Sequence, residues 1–137
     1  MIDFIRYQSA VPNRRGSFPG VFALANGLRD EGVLTEVDAY WLRAANDHAN
    51  AAYVDPTSVD PDCYNRATNP GARSWFKSNA TTLLDMTAEY LGLLDRYHVP
   101  WVELRTRTPG RLVYEDAVQI VAVPHTYIEH WPFHPSQ

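Results

Sequence analysis

The sequence predicts an α+β domain, with a small mixed or antiparallel sheet of about four strands and three helices in the order β-α-α-β-α-β-β. Three observations carry this reading. Apolar, β-prone runs at residues 2–7, 73–77 and 101–105 are bounded by turn residues. Long stretches between them repeat apolar residues at helical spacing. Strands and helices do not alternate one for one, as a parallel βαβ sheet requires. With 137 residues, 45% of them hydrophobic and 20% charged, the chain is sized for one packed domain. The expected division is a single domain over residues 1–123 and a C-terminal tail over 124–137, where histidines and prolines gather.

Residues 2–7 are the first strand, stopped by the turn-rich Pro12-Asn13-Arg14-Arg15-Gly16. Ser17 or Pro19 opens a short helix through Val21, Phe22, Leu24, Ala25 and Leu28, and Gly32 ends it. Thr35 caps the second helix, with Glu36 and Asp38 in its first turn, where the helix dipole favours negative charge. Its expected apolar face is Val37, Tyr40, Trp41, Ala44, Ala45, His48 and Ala52. Between Asp55 and Gly71 the periodicity disappears, and Asp55-Pro56, Asp60-Pro61 and Asn69-Pro70 each turn the chain away from helix. This reads as a long packed loop pinned by Tyr53 and Tyr64. After the strand at 73–77, Ser78 or Asn79 caps the third helix, with Leu83, Thr87, Tyr90, Leu91 and Leu94 on one face. Residues 101–105 and 112–123 are expected to pair as a hairpin through Pro109-Gly110, which suits a type II turn.

Several function classes are excluded or disfavoured. No run approaches the ~20 apolar residues of a membrane-spanning helix. The N-terminus lacks the basic start and apolar core of a secretory signal, and the lone Cys63 has no partner for an internal disulfide. A soluble, cytoplasmic protein is expected. The net charge of −4 argues against general nucleic-acid binding. The partners expected are a small anionic ligand or another protein, including a second copy of the chain.

The segment Arg73–Asn79 is the leading candidate site. Strand-to-helix junctions present unpaired N–H groups that hold anions, and Lys77, the only lysine, sits beside them. Arg6, Arg73 and Lys77 supply charge, Tyr7 and Trp75 stacking surface, and Ser78 and Asn79 the helix mouth. The ligand would be a nucleotide, a phosphate or a carboxylate. No glycine-rich loop is present, so this is not a P-loop. Glu115 is the candidate catalytic carboxylate. It stands with Asp116 inside an apolar strand, and adjacent strand residues face opposite sides, so one acid must be paired, a bulge must turn both outward, or Asp116 marks a second bend or a frayed hairpin. No metal site is expected, because His125, Glu129, His130 and His134 match no standard zinc spacing. No serine has a G-x-S-x-G context.

Arg6, Ser74 and Glu115, on successive strands, give an order similar to the catalytic order of some ADP-ribosyltransferases. The resemblance implies a transferase with NAD as cofactor and Glu115 as its catalytic carboxylate. The chain departs from that pattern, since Trp75 follows Ser74 and residue 113 is Val rather than Glu or Gln. No cofactor is otherwise evident. Three functions follow: binding of an anionic ligand first, a nucleotide-dependent transferase second, and third a protein-interaction module presenting Trp75, Trp101, Trp131 and Phe133.

Overall fold

The α+β class read from the sequence is the observed architecture. The computed structural model describes residues 2–125. Along the chain run β1 (Phe4–Ser9), α1 (Val21–Asp30), α2 (Glu36–Ala52), the single turn α3 (Pro56–Val59), β2 (Arg73–Lys77), α4 (Thr81–Arg96), β3 (Trp101–Thr106), β4 (Arg111–Glu115) and β5 (Gln119–Val123). The strands form one antiparallel sheet in the order β3-β1-β2-β5-β4.

The fifth strand arises where the sequence suggested one long one. Asp116 turns the chain: its Oδ1 accepts the N–H groups of Val118 at 2.9 Å and Gln119 at 3.0 Å. Its Oδ2 accepts the Tyr114 hydroxyl at 2.8 Å. Residues 112–123 are therefore a hairpin of their own, β4 and β5, with a register shift between Leu112 and Tyr114. The expected pairing of residues 101–105 with that segment does not form. β3 instead pairs along its whole length with β1, from Phe4↔Thr106 to Ser9↔Trp101. Pro109-Gly110 is thus part of a strap between the two edge strands. Arg107 Nε donates to Asp3 at 3.0 Å at one end, and Gly110 lies against Val123 and Pro124 at the other.

Side chains alternate across the sheet. Phe76 and Tyr7 face the helices, in a core with Val21, Ala25 and Leu28 of α1 and the expected α4 stripe. Leu83, Thr87, Tyr90, Leu91 and Leu94 are all buried, and Thr87 donates its hydroxyl to Leu83 O at 2.8 Å. Trp75, Ile120 and Ala122, with Phe4 and Leu104, form a second cluster on the other side.

α2 begins where expected, with Thr35 accepting the Asp38 N–H at 3.1 Å. Its buried face does not follow its apolar pattern. Val37 and Tyr40 are 78% and 74% exposed, while Leu42 is fully buried. Polar bonds to α4 and its end set the rotation. Asp38 accepts from Tyr97 Oη at 2.6 Å and Arg96 at 3.0 Å, and Asn46 accepts from Tyr90 Oη at 2.8 Å. Asp38, Leu42 and Asn46 are spaced by four and share one stripe, so anchoring the outer two turns Leu42 inward. Among the described residues, no helix is long and apolar enough to cross a membrane.

Two stability outcomes follow from this fold. Gly110 has φ +127°, and an added Cβ would lie 2.0 Å from Val123 O, so Gly110→Ala should cost roughly 2–4 kcal/mol in chemical denaturation. Gly92, in α4, has open space around it, and Gly92→Ala should stabilise by up to about 1 kcal/mol. Asp116 gives a pH signature. Burial opposes its charge, but hydrogen bonds from Val118, Tyr114 and Gln119 outweigh burial and lower its pKa. A depressed folded pKa contributes stability above the unfolded carboxylate range, lost as pH falls through the folded value. Wild type should therefore lose more stability than Asp116→Asn when pH drops below about 4, measured by urea denaturation across pH.

Candidate functional site

The junction at the end of β2 has its charge already matched. Lys77 Nζ lies 2.7 Å from Glu115 Oε2, with the two side chains 14% and 51% exposed. The sheet makes this pairing: Trp75 and Glu115 both pair with Ile120, so Lys77 reaches Glu115 across β5. Ser78 and Asn79 do not cap α4. Ala80 occupies the cap position with no side-chain bond, and its N–H closes a turn onto Lys77 O at 3.0 Å. Ser78 is held by its own N–H, which donates to Asp3 O at 3.0 Å. The physical reason is the tight exit from the strand, which consumes Ser78 and Asn79 as turn residues.

The other expected ligand residues lie elsewhere. Trp75 is fully buried in the second cluster and offers no stacking surface. The Tyr7 ring packs into the helix-side core, edge-on to Trp101 with centroids 5.8 Å apart and tilted against Phe76 at 6.5 Å. Of the proposed contact surface, Trp101 is half-buried with its Nε1 donating to Asp95 at 2.8 Å. Trp131 and Phe133 lie outside the described residues, as do Glu129, His130 and His134. Among the described residues, no group of three His, Cys, Asp or Glu side chains is placed to hold a metal.

Arg6 and Arg73 come together at a different place, in a fork of the sheet. Registered pairing of β1 with β2 is limited to Phe4↔Lys77 and Ile5↔Phe76. Beyond that point residues 18–20 lie alongside β1, through the bridge Gln8↔Gly20 and the bond from Ser9 N–H to Pro19 O at 2.8 Å. Arg6 spans the gap. Its Nη1 donates to Ser74 O of β2 at 3.1 Å, its Nη2 to Phe18 O at 3.1 Å and its Nε to Gln8 Oε1 at 2.8 Å. These acceptors are all uncharged. Burial, and then the neighbouring charge of Arg73, lower the Arg6 pKa to about 9, which leaves it cationic at neutral pH.

A cavity of about 320 Å³ opens at this fork, lined by Arg6, Tyr7, Gly20, Tyr64, Arg73 and Ser74 among others. Among the described residues, no Asp or Glu lines it. It also meets the start of α1, where the cap residue Gly20 supplies no side-chain bond and the first turn holds no acid. The Tyr64 pKa is raised by burial, against a hydrogen bond with Ser74, so its hydroxyl is neutral at physiological pH.

A larger cleft, of about 660 Å³, adjoins it between the sheet, α2 and the segment after α2. Phe22, Tyr64, Ser74 and Phe76 line both spaces. The cleft contains an amide chain: Tyr90 Oη donates to Asn46 Oδ1 at 2.8 Å, and Asn46 Nδ2 donates to Asn26 Oδ1 at 2.9 Å. Burial pushes the Tyr90 pKa up to about 12, which keeps the hydroxyl a donor. Gln119 adds a third amide, pinned by its Nε2 to Val54 O at 2.8 Å. Glu115 and Lys77 line neither space.

Sequence reasoning missed Asn26, Asn46, Tyr64, Tyr90 and Gln119 as site residues. The long loop carrying Tyr64 was a usable signal. Asn46 gave none, because a polar residue on an amphipathic helix reads as solvent-facing. Comparison with family models, with curated proteins and with solved structures gives no match.

The ion pair at the junction has a testable weight. Glu115→Gln leaves Lys77 facing a neutral amide on a partly exposed edge, and should cost no more than about 1 kcal/mol in urea denaturation. A loss several times larger would mean that Lys77 is anchored mainly through Glu115.

Proposed function

We propose that this domain binds a small anionic ligand, with Arg6 and Arg73 holding the charged group in the fork between β1 and β2. The observation that carries this is the Arg6 guanidinium at the fork, whose hydrogen-bond acceptors among the described residues are all uncharged and which lines the smaller cavity. Guanidinium groups present fixed donor forks that match phosphate and carboxylate oxygens. The uncapped start of α1 adds a favourable partial charge at the same space. The site lies away from the Lys77 junction, where Glu115 answers the lysine charge. Binding rather than catalysis fits the position of Glu115, which reaches neither cavity.

Isothermal titration with inorganic phosphate, pyrophosphate and small carboxylates at low salt tests this. Wild type should bind at least one of them, Arg73→Gln should bind it at least tenfold more weakly, and Lys77→Ala should bind within twofold of wild type. No binding of any anion, or equal binding by Arg73→Gln, would overturn the proposal.

A second reading has one observation in its favour. Val33, Val37 and Tyr40, exposed at 50%, 78% and 74%, provide apolar area for a protein contact around the start of α2. Sedimentation at rising concentration should then show self-association that Tyr40→Glu removes; a constant monomer mass removes the homodimer form.

A further inference from the structure

We infer that the larger cleft is a second binding site, for an uncharged planar nitrogen heterocycle of the nucleobase class. Arg6 and Arg73 do not line this cleft, so the inference stands apart from the anion site. At about 660 Å³, the cleft falls in the range of small-molecule sites.

Its floor is apolar and aromatic. Phe76, Leu83 and Tyr90 are buried there. Phe22 lies among them, edge-on to Tyr90 with centroids 4.8 Å apart and tilted against Phe76 at 6.0 Å. Such a group offers a flat ring both apolar area and edge-to-face contacts. The charged residues of the lining are Arg29, Arg43, Asp47 and Asp55, all exposed to solvent. Two arginines and two aspartates sum to no formal charge, so neither sign of ligand is selected.

Against this floor stand three amides whose hydrogen bonds fix what each has left. Asn46 Oδ1 accepts from Tyr90 Oη and its Nδ2 donates to Asn26 Oδ1, which leaves one lone pair and one N–H. Asn26 spends its oxygen on that bond, and among the described residues its Nδ2 donates to nothing. Gln119 is the reverse. Its Nε2 donates to Val54 O at 2.8 Å and Asp116 Oδ2 at 3.2 Å, so its oxygen is the group left to accept. Donors and acceptors thus border one apolar space, the combination that reads the edge of a base. An aliphatic ligand would strip water from these amides without replacing its bonds. A free sugar would leave the aromatic floor unused.

The test is calorimetry with adenine, uracil, their nucleosides, and N6,N6-dimethyladenine and 1,3-dimethyluracil, which keep the flat ring but lose its N–H donors. At least one base or nucleoside should bind tenfold or more tightly than its methylated form. Asn46→Leu should erase that difference. Asn26→Ala, which removes only the outer amide, should reduce it several-fold and serves if Asn46→Leu fails to fold. Added inorganic phosphate should leave base affinity within twofold; competition by phosphate would put the base in the fork and overturn the inference. So would equal affinity for the methylated forms, or no binding of any base or nucleoside.

Discussion

The guanidinium of Arg6 is the constraint on which the rest depends. Where β1 and β2 part, Ser74 O and Phe18 O would lose their strand partners and face a buried gap. Buried carbonyls left unpaired cost about 1–3 kcal/mol each, so a side chain that reaches both is strongly retained. Arg6 does this with its planar fork, and its Nε is fixed in turn by Gln8. A single lysine ammonium has no comparable geometry. The gap is thereby held open rather than zipped into a longer ladder. It also brings a positive charge inside, and its hydrogen-bond acceptors among the described residues are all uncharged, an arrangement that costs several kcal/mol of desolvation.

The rest of the site follows from that fork. Residues 18–20 replace β2 as the neighbour of β1, and this places the start of α1 against the gap. β2 stays in register with β5 through Arg73, which brings a second arginine to the same opening. On the far side, α2 is rotated by its bonds to Tyr90, Tyr97 and Arg96, so Asn46 looks into the cleft and Val37 looks out. Two polar networks, one in the sheet and one between helices, thus border two adjoining spaces.

Much of the fold was legible in the sequence because it is local. Thr35 caps α2, the α4 stripe is buried as its spacing implied, and residues 73–77 are a strand. What failed depended on long-range pairing. Lys77 meets Glu115 from 38 positions away, a pairing that nothing local in the sequence announces. The bend at Asp116 was one of the sequence's own alternatives, and it forms through the aspartate's side chain, but the strand at 101–105 was paired with the wrong partner because its match to β1 is a long-range one. Arg6 and Arg73 were singled out for charge, and they do meet, yet at the opposite end of β2 from the lysine. Asn46 was invisible, since its role exists only once Tyr90 lies beside it.

The fork's capture of an anion is the central claim, and nitrogen–proton correlation spectra through a phosphate titration test it most directly. The account expects the largest shifts at the backbone amides of residues 21–23 and at the side-chain Nε signals of Arg6 and Arg73, with residues 78–81 unmoved. Shifts concentrated at 78–81, or no saturable shift at 21–23, would contradict it.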